Sequence, residues 1–253
     1  MKKYKLTEET IIVNGRTLYR IEALKDFGNV RKGDKGGFVE KENNLSQYGD
    51  SWVYDDAKVF GNAVVCGYVR VRGYAQVCGN AQVYGNAEVY GNAEVYGDAV
   101  VYGNARVYGN ALVCDNAQVY DNAGVYHNAQ VYGNAKVFEN AEVSFDAKVY
   151  DDAKVYEYAM VQGNAKVYGN AEIRTNACIY GDAVIDSIGD YIVFKNFWSS
   201  GRSFTWTRSN DMWKVGCFYG TGEELIKKAY KESEISGREY ERIVKYVETI
   251  KGK

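Results

Sequence analysis

From Val53 onward an aliphatic residue returns at every sixth position without a break, through Val59, Val65 and on to Val167, Ile173, Ile179 and Ile185, 23 positions in all. Ala stands two residues earlier in 21 of them, the exceptions being Ser51 and Val69. The intervening positions are mostly polar, and the consensus reads Ala-x-Val-Tyr-Gly-Asn. Ala and Val, two apart, share one face of an extended segment, and β-branched Val suits a pleated surface. A period of six does not fit a helix, and Gly recurs throughout. Gly-Asn predicts a corner, because both residues tolerate positive φ. The pattern therefore predicts a β-solenoid over 45–186, its thin interior filled by Ala and Val and its coils stacked as parallel strands about 4.8 Å apart.

An open solenoid exposes strand edges that need covers. Residues 1–44 read as an N-terminal cap, with a hairpin across Ile11–Tyr19 turning at Asn14-Gly15. Residues 187–253 read as a small α+β cap. Its predicted strands are Tyr191–Phe197, Ser203–Arg208 and Met212–Phe218. Capping boxes at Thr221-Gly222-Glu223-Glu224 and Ser236-Gly237-Arg238-Glu239 each predict a helix start. Tyr240, Ile243, Val244, Val247 and Ile250 form an apolar stripe on the second helix.

Composition narrows the function. The chain has 253 residues, 24 Tyr, 27 Gly, no Pro and a net charge of −2. That balance gives no global field for extended nucleic acid. The first residues lack the apolar core of a signal peptide, and no run is apolar and long enough for a membrane span. The five Cys (66, 78, 114, 178 and 217) form no CxxC pair and read as reduced packing residues, so a cytoplasmic protein is expected.

The repeat resembles the left-handed parallel β-helix of hexapeptide-repeat proteins, in which three hexads make one triangular coil of 18 residues. On that resemblance the 23 hexads make about seven and a half coils, roughly 37 Å long. Tyr after the aliphatic residue, at 13 of 23 positions, departs from the small residue usual there. Lys32-Gly33-Asp34-Lys35-Gly36-Gly37-Phe38, Asn44-Leu45-Ser46, Trp52-Val53 and Val215–Thr221 resemble hexapeptide-repeat proteins of bacteria and their phages that commonly carry an acyltransferase label. The resemblance also implies a homo-oligomer, trimers being common. An 18-residue coil stacks Tyr90, Tyr108 and Tyr126 in one column, with Tyr84, Tyr102, Tyr120 and Tyr132, Tyr150, Tyr168 in two others. It also stacks Asp121, Glu139 and Glu157, where a cation or Lys136 and Lys154 would offset the like charges.

Catalytic candidates are scarce. Acyltransferases that resemble this fold use a catalytic His, and carbonic anhydrases of similar fold use three; His127 is the single His here. It replaces a corner Gly, and the unbroken repeat leaves no long loop in the solenoid. Walker, HExxH, GxSxG and EF-hand patterns are absent. No cofactor is expected. The candidate ligand or partner surface is Arg202, Trp206, Arg208, Trp213 and Lys214 in the C-terminal cap, where cations lie among aromatics, together with the Tyr90, Tyr108, Tyr126 column. Phe204, Trp206 and Arg208 alternate onto one strand face, and Ser199-Ser200-Gly201 offers a short anion loop. The expected function is a non-enzymatic binding or scaffold protein, a phage or prophage accessory that engages a host protein or sequesters a small signalling nucleotide. An acyltransferase-like enzyme and a structural assembly component are the alternatives.

Overall fold

The computed structural model describes residues 2–197 and 201–251. Each hexad forms one short strand centred on its Val or Ile, and each strand pairs in parallel with the strand 18 residues on, as Val53 does with Val71 and Val59 with Val77. Three sheets result. One holds eight strands from Trp52–Val53 to Cys178–Ile179, and one holds seven from Val64–Val65 to Glu172–Ile173. The third joins eight coil strands, Lys58–Val59 to Val184–Ile185, to three strands of the N-terminal cap. This is a β-solenoid of about eight coils. The repeating Ala and Val side chains are fully buried, so the interior is a packed core and not a channel.

The corners differ from expectation. Only the residue after the Tyr position has positive φ, at every corner from Asp55 to Gly181, and the following Asn does not. Nine of these residues are not glycine. Several acidic ones offset the strained backbone by accepting from the corner amide of the next coil: Gly73 N donates to Asp55 Oδ2 at 2.9 Å, and Gly133 N donates to Asp115 Oδ2 at 3.1 Å. The Asn residues instead build ladders. Within a ladder Nδ2 donates to the Oδ1 one coil on, as from Asn86 to Asn104 (3.1 Å), Asn104 to Asn122 (3.0 Å) and Asn122 to Asn140 (3.2 Å). A ladder can end in Asp, which accepts but cannot donate when ionised, as at Asp98 and Asp146.

Backbone hydrogen bonds give the solenoid a direction. Lys58 N, Phe60 N and Asn62 N all donate forward, to Ala75, Val77 and Gly79 carbonyls. The first coil therefore presents carbonyl oxygens, and the last presents amide protons. At the N-terminal end the hairpin Tyr4–Val13 and Arg16–Ala23 turns at Asn14 (φ 49) and Gly15 (φ 74) and pairs antiparallel with Lys35–Val39. That strand joins the solenoid in parallel, Val39 opposite Val59. Gly37 passes so close to the coil that a Cβ would lie 2.4 Å from Ala57 O, which explains the paired glycines of that segment. Free carbonyls receive side-chain donors. Lys3 Nζ donates to Ser51 O (2.8 Å), Asn44 Nδ2 to Ala63 O (2.8 Å), and Tyr4 Oη to Leu45 O (2.8 Å).

At the C-terminal end four antiparallel strands, Tyr191–Lys195, Ser203–Thr207, Met212–Val215 and Phe218–Gly220, form one sheet. The third predicted strand is thus two, broken by a turn at Gly216, whose φ is positive. One sheet face packs on helices α1 (Gly222–Glu232) and α2 (Glu234–Ile250) through Phe204, Trp206, Trp213, Leu225 and Val244. The other face covers the last coil, and Cys178 N donates to Thr205 Oγ1 at 2.9 Å. The capping box at Thr221 and Glu224 is present. Helix α2 starts earlier than predicted: Ser233 caps it, and Ser236 lies inside its first turn as the donor to Ser233 Oγ. Of the apolar stripe, Tyr240, Val244 and Val247 are buried in this core.

Candidate functional site

The last coils and the C-terminal sheet come from separate stretches of chain, and their junction leaves a furrow. One part, about 450 Å³, is lined by Arg174, Tyr191, Val193 and Lys195. The adjoining part, about 400 Å³, is lined by Met160, Gln162, Cys178, Arg202 and Lys214. Asn176, Lys195 and Ser203 belong to both, so the two are continuous. Among the described residues the lining contributes four cationic side chains, Arg174, Lys195, Arg202 and Lys214, and no carboxylate. Lys214 Nζ sits 4.6 Å from the centre of the Tyr180 ring, which packs edge-on against Tyr219. Burial pushes the Cys178 thiol up to about 11, against the opposing pull of Lys214, which favours the neutral thiol in this wall.

Of the residues singled out from sequence, Arg202 and Lys214 meet here. Trp206 and Trp213 do not. Both are 1% exposed in the core against α1 and α2, and Trp206 Nε1 donates to Asp211 Oδ1 at 2.8 Å. A stacking platform needs an open face, so these two are removed from the candidate surface. Phe204 is buried beside them, while Arg208, past the strand end, is exposed. Ser199 and Ser200 of the anion loop read from the sequence lie outside the described residues. Arg174 and Lys195 were missed. Arg174 occupies a Tyr position of the repeat, a departure that marks it.

The Tyr columns exist as stacked ladders. Ring centres of Tyr90, Tyr108 and Tyr126 are 4.7 and 4.9 Å apart and nearly parallel. Tyr84, Tyr102, Tyr120, Phe138 and Tyr156 form a second ladder, and Tyr132, Tyr150 and Tyr168 a third. Stacked rings of this kind stabilise by about 0.5–1.5 kcal/mol per pair.

The acidic column is also explained internally. Glu139 N donates to Asp121 Oδ2 (3.3 Å) and Glu157 N to Glu139 Oε2 (2.9 Å). Backbone amides, not lysines, meet the Asp121 and Glu139 carboxylates; Lys154 pairs with Glu172 instead, at 2.9 Å. Among the described residues no group of three side chains converges as a metal site. His127 is an exposed corner at φ 60, its ring against Tyr126 and Phe145. All five cysteines are free, and among the described residues no helix is long and apolar enough to cross a membrane.

The architecture defines a capped β-solenoid protein. Consistent with that class, a family model described as the YdcK β-solenoid repeat matches residues 81–97, 101–115 and 117–133, all within the solenoid. No curated protein matches the chain.

Proposed function

We propose that this chain is a non-enzymatic binding protein whose solenoid is a rigid support and whose C-terminal junction takes a small, multiply charged anion bearing phosphate or carboxylate groups. The observation that carries this reading is the furrow with four cations and no carboxylate in its lining. Cations held at a concave surface favour an anion through charge-assisted hydrogen bonds. A phosphorylated nucleotide fits that description. A role as a phage accessory protein that removes such a nucleotide, and assembly into a homo-oligomer, are the finer forms of the same proposal.

Native mass spectrometry of the full-length protein purified gently from bacteria tests it, with inorganic pyrophosphate and ADP as added probes. The expected result is extra mass that leaves on denaturation, or uptake of a probe, both lost in the Lys195→Gln, Lys214→Gln double variant. The same spectrum reports copy number. An empty protein that takes up neither probe overturns the anion reading and shifts weight to a protein partner or a structural role. Retained coenzyme A with acyl transfer would establish the enzyme alternative.

A further inference from the structure

A second hollow lies in mid-solenoid, far along the chain from the junction, and it follows from one residue. The outward position between Ala and Val is filled by a side chain in every hexad except one, where it is Gly124. No backbone need explains this glycine, because its φ is not positive. No crowding explains it either: a Cβ there would meet only the Tyr126 ring at 3.5 Å and Glu142 Cγ at 4.0 Å, ordinary contacts. The missing side chain opens a notch of about 250 Å³, with Gly124 as floor and Arg106, Tyr108, Tyr126 and Glu142 as walls. That is the liquid volume of about eight waters.

The charges beside the notch are split. Arg106 and Glu142 are the strand neighbours of Gly124 on either side, two coils apart and so about 10 Å between backbones. Glu88, the other neighbour of Arg106, is already held by Arg70 and Arg72 at 2.9 Å each. Among the described residues neither Arg106 nor Glu142 has an ion-pair partner. The carboxylate of Glu142 is oriented by Tyr126 Oη, which donates to Oε2 at 2.6 Å. Burial, and then this carboxylate, push the Tyr126 hydroxyl up to about 12, so the donor keeps its proton. A cation and an anion thus line the same notch, with a bare floor and an aromatic wall.

We infer that the Gly124 notch binds a compact, amino-acid-like zwitterion, its carboxylate on Arg106, its ammonium on Glu142, and its carbon skeleton over Gly124 against the Tyr108 and Tyr126 rings. One molecule with both charges completes both half-pairs, which an ion of either sign alone cannot do. The site is independent of the junction furrow.

Saturation-transfer NMR on the full-length protein tests it, using the free amino acids and 4-aminobutyrate, with acetate and methylammonium as single-charge controls. Transfer to at least one zwitterion and to neither control is expected. Gly124→Leu fills the notch with a side chain that the same outward position already carries at Leu112, and abolishes the transfer while the protein still melts cooperatively. Arg106→Gln and Glu142→Gln each weaken binding about tenfold or more, which holds the test if the leucine variant fails to fold. No transfer to any zwitterion, transfer that matches the controls, or transfer that survives in a folded Gly124→Leu protein overturns the inference.

Discussion

At its N-terminal end the solenoid presents carbonyl oxygens and at its C-terminal end amide protons, and the two caps meet them with opposite chemistry. The first cap supplies donors: the Lys3 ammonium, the Asn44 amide and the Tyr4 hydroxyl. The second supplies acceptors: Thr205 Oγ1 for Cys178 N, Ser209 Oγ for Val184 N, and Asp190 Oδ2 for the amides of Asp186 and Ser187. They also attach differently. The first cap continues a solenoid sheet through Lys35–Val39, whereas the second lays the face of a separate sheet across the coil end. An edge made of one kind of group needs a cover made of its complement, because an unpaired buried backbone group costs about 1–3 kcal/mol.

The largest expected effect breaks the first cap at its closest approach. Gly37→Ala drives a methyl into Ala57 O and the Val53 side chain, which lies 2.7 Å from the built Cβ. About 3 kcal/mol of stability should be lost, read as a lower midpoint in denaturant. A wild-type midpoint would mean that the strand does not sit against the coil.

Next comes Lys3→Met, which leaves the Ser51 carbonyl without its donor and should cost about 1–3 kcal/mol. This variant also sharpens the comparison through pH. Burial holds the Lys3 ammonium down to about 8, from an ordinary 10.5, so above pH 8 the folded protein releases this proton before the unfolded chain does. Stability of the wild type relative to Lys3→Met should therefore rise from about pH 8 towards 10.5 and stay flat below that window. Paired melts across pH would show it, and a difference that falls with pH would reverse the assignment.

The smallest effect belongs to the second cap. Thr205→Val keeps the shape but removes the acceptor for Cys178 N, for about 1–2 kcal/mol. It should also raise hydrogen exchange at that amide, whereas the amides of mid-solenoid coils should keep their protection.

Sequence reading reached the parts of the molecule that repeat. The Val and Ala interior and the Asn14-Gly15 turn follow from local chemistry, whereas the coil of three hexads and the Tyr columns it stacks follow from the resemblance to hexapeptide-repeat proteins. It reached much less where segments distant in sequence meet. Trp206 and Trp213 lie among cations in the chain, yet the two helices bury them. Lys195 is unremarkable in the chain, Arg174 is marked only by standing in a Tyr position, and the two become neighbours only when the C-terminal sheet docks on the last coil. Nothing in the sequence singles out Lys3, which is 1% exposed and plugs the coil end. In a repeat protein the departures carry the information: Arg174 in a Tyr position, Gly124 in an outward one, and Asp where an Asn ladder stops.

The one-way run of hydrogen bonds from each coil to the next, backbone amides reaching 17 residues on and Asn side chains 18, sets how this rod can change in length. Copying or deleting one whole coil would preserve each sheet, each ladder and the fit of both caps, and would alter the rod by about 4.8 Å. Losing a single hexad would rotate everything beyond the cut onto the next sheet, so that the C-terminal strands would arrive beside the wrong amides. Evolution can therefore treat this protein as a ruler graduated in coils, moving the two capped ends apart or together in fixed steps while the chemistry at each stays as it was.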